Sequence, residues 1–267
     1  APSLKQPILD AARAVRQPPA DTATVYNAWL RHGDEGTAEP PLGNLGGGSD
    51  HVGFYTFAGV PSAQLSMSSP SPIYHSNYDT FAWYERFGDS TFTGGAALAK
   101  ADGVLALRLA NADVVPYDLA RYATDLTTHV AALEARAEAL GRDVKLAALR
   151  SAIEALDDAA AGFVSARDER LGGTAPPEDD LRVINKSLIA LEKAFLHPGG
   201  LQHRPRMRSL YASPDPFSGY ASWMLPGLRY EIETASPDLD AWEARYVEAV
   251  EKLTRRIEAV TERMARP

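Results

Sequence analysis

The stretch that most limits what this chain can fold into is Leu239–Met264, where Trp242, Tyr246, Val250, Leu253, Ile257 and Val260 recur every three or four residues. That spacing gathers them on one stripe of an α-helix roughly 39 Å long at about 1.5 Å per residue. A helix with a single apolar stripe must bury it against other elements, so partners are expected upstream. Tyr117–Leu140 follows Pro116, a helix-starting proline, and a further helix runs from about Asp143 to Leu171 after the stop at Gly141. Leu181–Leu196 then carries Leu181, Ile184, Leu188, Leu191 and Phe195 before Pro198, Gly199 and Gly200 end it. The second half is therefore predicted to be a bundle of about four long helices, its stripes serving as core. GGTAPPEDD reads as a linker. Residues 201–227, with RPRMR, YASPDP and MLPG, read as irregular, yet they are too long and too aromatic for an idle connection.

The first hundred residues have a different character. An amphipathic helix with Leu4, Ile8, Leu9, Ala12 and Val15 on one face opens the chain, and Asp21 is placed to cap a short helix bearing Tyr26 and Trp29. A loop over residues 32–49 ends in GNLGGGSD and leads to a helix from Asp50 carrying Val52, Phe54, Tyr55 and Phe57, with Gly59 as its stop. Val60–Met67 alternates, with Ala63, Leu65 and Met67 on one side, and reads as a strand. Then comes PIYHSNYDTFAWYERF, in which Asp79 is the expected N-cap of a helix bearing Phe81, Trp83, Tyr84 and Phe87. Phe92–Ala112 reads as another helix. Helix, loop, helix, strand, loop and helix is the order of the closing part of an α/β domain.

The chemistry available is narrow. There is no cysteine, which excludes disulfides, thiol catalysis and Cys-ligated zinc and leaves His, Asp and Glu as the strong metal ligands. The net charge of −8 is spread evenly, so no basic face for nucleic acid exists, and no apolar run approaches the ~20 residues of a membrane span. None of the six histidines, His32, His51, His75, His129, His197 and His203, stands at close ligand spacing to another. His75 alone sits in dense, patterned surroundings on a short loop, where ligands are often mounted. Gly46, Gly47 and Gly48 let backbone approach a ligand closely ahead of a helix N-terminus; a flexible turn is the alternative. Paired acids such as Asp157–Asp158 and Asp179–Asp180 are explained by solvation or capping.

Five runs carry a further signal. They are LGGGSDHVGFYTFAGVPSAQLSM, PIYHSNYDTFAWYERFGD, LANADVVPYDLARYA, LEKAFLHPGGLQHRPRMRSLYASPD and GYASWMLPGLRYEIE. Their order and separations resemble the C-terminal part of the glutamate carboxypeptidase II and transferrin receptor family, over about Ala1 to Arg263. The resemblance implies a mostly α chain in which residues 1–113 are the C-terminal portion of an α/β zinc exopeptidase domain. Residues 114–267 are then a helical, transferrin receptor-like dimerisation domain, with a second copy of the chain as partner. In the family the histidine of the YHS motif binds one of two zinc ions and the preceding tyrosine hydrogen-bonds the tetrahedral intermediate, which implies a metal role for His75 and a catalytic one for Tyr74. Two zinc ions activate a bridging water and polarise the scissile carbonyl of a peptide, and a phenol suits the resulting oxyanion. The glycine turn, here Gly47, Gly48, Ser49 and Asp50, lies beside the substrate pocket, and the late-loop tyrosine, here Tyr220, reaches toward substrate.

The departures matter as much. Members specific for C-terminal glutamate use two arginines and a lysine where this chain has Gln64, Ser66 and Gly219. Charge-assisted hydrogen bonds worth roughly 1.5–3 kcal/mol each are therefore missing, and an aminopeptidase-like or broader preference fits better unless Arg204, Arg206 or Arg208 substitutes. The family's remaining zinc ligands precede the point where this chain starts. The chain is thus expected to be a fragment of a longer, exported or cell-surface protein, its lack of cysteine compatible with a bacterial one, that binds no zinc tightly and is inactive alone. The rival expectation is a non-catalytic, receptor-like binding protein of the transferrin receptor branch.

Overall fold

In a computed structural model, residues 1–19, 22–67, 71–173 and 176–266 are described, and the fold is mostly helical with one small sheet. In chain order the elements are α1 (Lys5–Ala14), α2 (Val25–Leu30), α3 (His51–Ala58), α4 (Phe81–Trp83), α5 (Thr93–Asn111), α6 (Ala120–Ala139), α7 (Ala147–Gly172), α8 (Glu178–Ile189), β1 (Ala212–Pro214), β2 (Ser222–Met224), α9 (Pro226–Thr234) and α10 (Leu239–Met264). They divide into two compact units, one of Ala1–Leu4, Asn44–Ala63 and Asp113–Pro267, the other of Lys5–Gly43 and Gln64–Ala112.

The larger unit is built on α10. Trp242, Tyr246, Val250, Leu253, Ile257, Val260 and Met264 are all buried, as the spacing predicts, and α10 lies along α7, whose Leu149, Ile153, Leu156, Ala160 and Phe163 are buried in turn. Full burial of such side chains contributes roughly 1.5–3 kcal/mol each. The first turn of α7 would leave amide donors orphaned, and acids on its neighbours accept them: Leu146 N–H donates to Glu134 of α6 (3.1 Å) and Leu149 N–H to Glu243 of α10 (3.2 Å). Arg150 also pairs with Glu134. At the other polarity, Arg256 of α10 donates to Ala190 O (2.7 Å), a carbonyl at the end of α8. Arg136 of α6 grips Glu233 of α9 through two bonds of 2.9 and 2.8 Å, and Arg263 of α10 reaches Asp180 of α8 (2.9 Å). The predicted helix Leu181–Leu196 is in fact α8 followed, after Ala190, by a tighter 3₁₀ turn over Leu191–Phe195.

In the smaller unit α1 lies against α5, and Val15, just past the end of α1, packs with Ala97 and Ala101, with Val25, Leu65 and Val104 at the margin. Alanines at the contact let the two backbones come close. The structure departs from three local expectations. Val60–Met67 forms no strand among the described residues, and Leu65 packs at the margin of this small core instead; a strand exists only where a neighbour takes its hydrogen bonds. Thr80, not Asp79, caps α4, its side chain accepting from Trp83 N–H (3.3 Å). The helix beyond is one turn long and continues as a π-turn over Tyr84–Gly88. Asp21 lies outside the described residues; α2 is capped by Thr24 and Asn27, each side chain accepting from the other's backbone N–H (3.2 Å).

Candidate functional site

The irregular stretch predicted over residues 201–227 contains a hairpin. β1 and β2 are antiparallel, with Ala212, Ser213 and Pro214 opposite Met224, Trp223 and Ser222, and the loop between them carries Tyr220. That loop is braced from within. Asp215 accepts from Phe217 N–H and Ser218 Oγ–H at 2.8 Å each, and its carbonyl accepts from Gly219 N–H (2.8 Å). Partial burial opposes ionisation of Asp215, but these donors hold its carboxyl below the ordinary value. Gly219 takes φ 78°, which only glycine adopts without strain. Arg204 closes the base by donating to Asp215 O (3.4 Å) and Pro216 O (3.2 Å).

The glycine turn is seated on this loop. Gly47 N–H donates to Tyr220 O (2.7 Å), Ser222 Oγ–H to Asn44 O (2.8 Å), and the His51 ring lies 3.0 Å from Gly46 O, closing the turn onto the start of α3. A Cβ at Gly47 would overlap Gly219 O, and one at Gly46 would fall 2.6 Å from Tyr220 O. The expectation was that these glycines admit a ligand. What they admit in this structure is the backbone of the 215–221 loop. Gly48 lies under the Tyr220 ring, whose edge would be 3.0 Å from an added Cβ, while the ring itself remains 70% exposed.

Gly47, Gly48, Ser49, Asp50 and Tyr220 thus belong to one unit, with Gly47 and Gly48 directly against Tyr220. Tyr74 and His75 belong to the other unit. There the two rings stack on each other with centroids 3.9 Å apart, His75 adopts φ 62°, and Tyr74 is 75% exposed. A non-glycine residue held left-handed is uncommon and marks a constrained loop. Among the described residues no group of three or more His, Asp or Glu is arranged to hold a metal ion. Of the arginines considered as carboxylate partners, Arg204 serves the loop, Arg208 donates to His197 O (3.4 Å) and lies over the Phe57 ring, and Arg206 is exposed.

A buried polar cluster escaped the sequence reading. Glu192, 2% exposed, receives the hydroxyls of Tyr122 (2.8 Å), Tyr55 (3.3 Å) and Ser3 (3.5 Å). Nearby, Tyr211 donates to Asp125 (3.2 Å) and lies 3.3 Å from His129 Nε2. The signal was present: Glu192 falls between Leu188 and Phe195 on an otherwise apolar helical stripe.

Comparison with known proteins places residues 144–265 in the transferrin receptor-like dimerisation domain family. A probable glutamate carboxypeptidase, LAMP1, of Arabidopsis thaliana is 35% identical over 234 residues, which cover 88% of this chain and 33% of that protein. Aminopeptidase NAALADL1 of Rattus norvegicus is 28% identical, covering 74% of this chain and 28% of the relative. An inactive zinc metalloprotease, C354.09c, of Schizosaccharomyces pombe is 40% identical over 77 residues, 27% of this chain and 10% of that protein. The chain spans about a third of the length of the first of these relatives.

Proposed function

The chain belongs to the glutamate carboxypeptidase and transferrin receptor-like family, and from that premise we propose that it forms the C-terminal part of a dimeric, two-zinc exopeptidase. In this reading residues 1–113 complete the peptidase domain and residues 114–267 join two copies. Tyr74 is the catalytic phenol and His75 one zinc ligand. Gly47, Gly48, Ser49, Asp50 and Tyr220 form a wall against the peptide substrate. The observation that carries the reading is the seating of the glycine turn on the Tyr220 loop, which presents an exposed aromatic ring on a braced support. With Gln64, Ser66 and Gly219 at the places of the cationic residues, a substrate with a neutral terminal side chain suits the wall better than glutamate.

A lone imidazole does not hold zinc against water. Isothermal titration of the purified chain is therefore expected to give the same weak zinc binding for the wild type and His75→Ala, with no dipeptide hydrolysis in either. Robust zinc-dependent turnover by the chain alone would defeat the assignment of His75 as one member of a larger ligand set. The dimer is tested separately by light scattering, where twice the chain mass is expected at high micromolar concentration; a strict monomer there removes self-association from the proposal. The receptor-like alternative draws on one observation, that a relative is named an inactive zinc metalloprotease.

A further inference from the structure

We propose that Glu192 is a positioning residue, a proton-sensitive latch by which the helical domain holds α3 and, through it, the glycine turn beneath Tyr220. Three segments distant in sequence meet on its one carboxyl: Ser3 and Tyr122 on Oε1, and Tyr55 of α3 on Oε2. Tyr55 is itself 2% exposed, packed edge-on to Tyr211 with ring centroids 6.5 Å apart. Removing the carboxyl leaves three buried hydroxyls without that acceptor, and α3 keeps its backbone tie, Thr56 O accepting from Arg208 N–H (2.7 Å) and Ser209 N–H (2.9 Å). The latch therefore acts on the inner face of the helix that directly follows the glycine turn.

The charge state of the carboxyl is set by its surroundings. Burial pushes its pKa above the ordinary carboxyl value, while the Ala1 ammonium and the three hydroxyl donors work in the other direction. The phenols facing it, Tyr55, Tyr117, Tyr122 and Tyr211, are pushed up by burial and stay neutral; Asp125 and His129 stand beyond Tyr211. A folded value above the unfolded one means that the folded state holds the proton more tightly. The contribution to stability is thus fully present below the unfolded pKa and is lost as pH rises through the folded one.

The bearing on substrate rests on the function proposed above; the latch does not, and the experiment measures the latch. Hydrogen exchange of the whole chain between about pH 4 and about pH 7 is corrected for the intrinsic pH dependence of exchange. In the wild type, peptides covering residues 46–58 are expected to lose protection relative to α7 and α10 as pH rises, by roughly tenfold per unit that the carboxyl is shifted. Glu192→Gln keeps the shape and should flatten that slope. Tyr55→Phe removes a single hydroxyl and should speed exchange of residues 46–58 roughly five- to tenfold while sparing α7 and α10. An unchanged slope in Glu192→Gln overturns the proposal. So does a Tyr55→Phe variant with wild-type protection at residues 46–58, and this arm decides if Glu192→Gln does not fold.

Discussion

Replacing Phe163 by alanine is expected to lower the stability of the helical unit by about 3–5 kcal/mol, the usual cost of deleting a large buried ring. Phe163 is 1% exposed on the face that α7 turns toward the core. Its neighbours Ala160 and Leu156 are fully buried and belong to a helix anchored at its first turn by Glu134 and Glu243, so the gap cannot close by a simple slide of α7. Thermal unfolding followed by circular dichroism should move down by on the order of 10 °C. A loss below about 1 kcal/mol would mean that the site collapses around the missing ring and that α7 shifts despite its anchored first turn. Both α7 and α10 lie within the residues that match the dimerisation-domain family, so the proposed dimer, once seen by light scattering, should be weaker in this variant at temperatures near its midpoint.

The second large effect is expected at Gly47. Alanine there puts a methyl group into the carbonyl of Gly219, a backbone atom with no side-chain freedom to retreat. Either the glycine turn or the 215–221 loop must move, and the 2.7 Å bond from Gly47 N–H to Tyr220 O goes with it. Overpacking of this kind costs about 1–3 kcal/mol. Gly43→Ala is the control, because an added Cβ at Gly43 meets nothing within 4 Å; it should stay within about 0.5 kcal/mol of the wild type. Amide exchange at Gly47, Tyr220 and Ala221 separates the two variants. If Gly47→Ala leaves those amides as protected as in the wild type, the glycines are not there to admit the loop.

How much of this was legible in the sequence depends on the length over which a pattern repeats. Helix α10 starts and ends where the spacing places it, at Leu239 and Met264, because seven turns of consistent polarity leave little room for another period. Helices α5, α6 and α7 were found with ends displaced by a few residues, as capping is decided by whichever neighbouring group reaches the terminal amides. The first turn of α7 illustrates this: its caps are Glu134 and Glu243, which lie on other helices. Short elements fared differently. The strands of the hairpin are three residues each, too brief for alternation to register, and α9 begins at Pro226 behind a left-handed Leu225. Val60–Met67 had the alternation of a strand without a partner among the described residues, and Leu65 took a place in a helical core instead.

From the sequence alone came the helical second half, the absence of thiol chemistry, and the candidates Tyr74, His75, Gly47, Gly48, Ser49, Asp50 and Tyr220. These follow from composition, from local spacing and from resemblance, all of which are properties of neighbours along the chain. Only the tertiary structure decided what the glycines touch, what Arg204 and Arg208 are occupied with, and that Glu192 gathers Ser3, Tyr55 and Tyr122 onto one carboxyl. Those contacts join residues from 11 to 189 positions apart. A polar group on an apolar stripe announces that it needs partners, but which partners meet it is settled by how the helices pack.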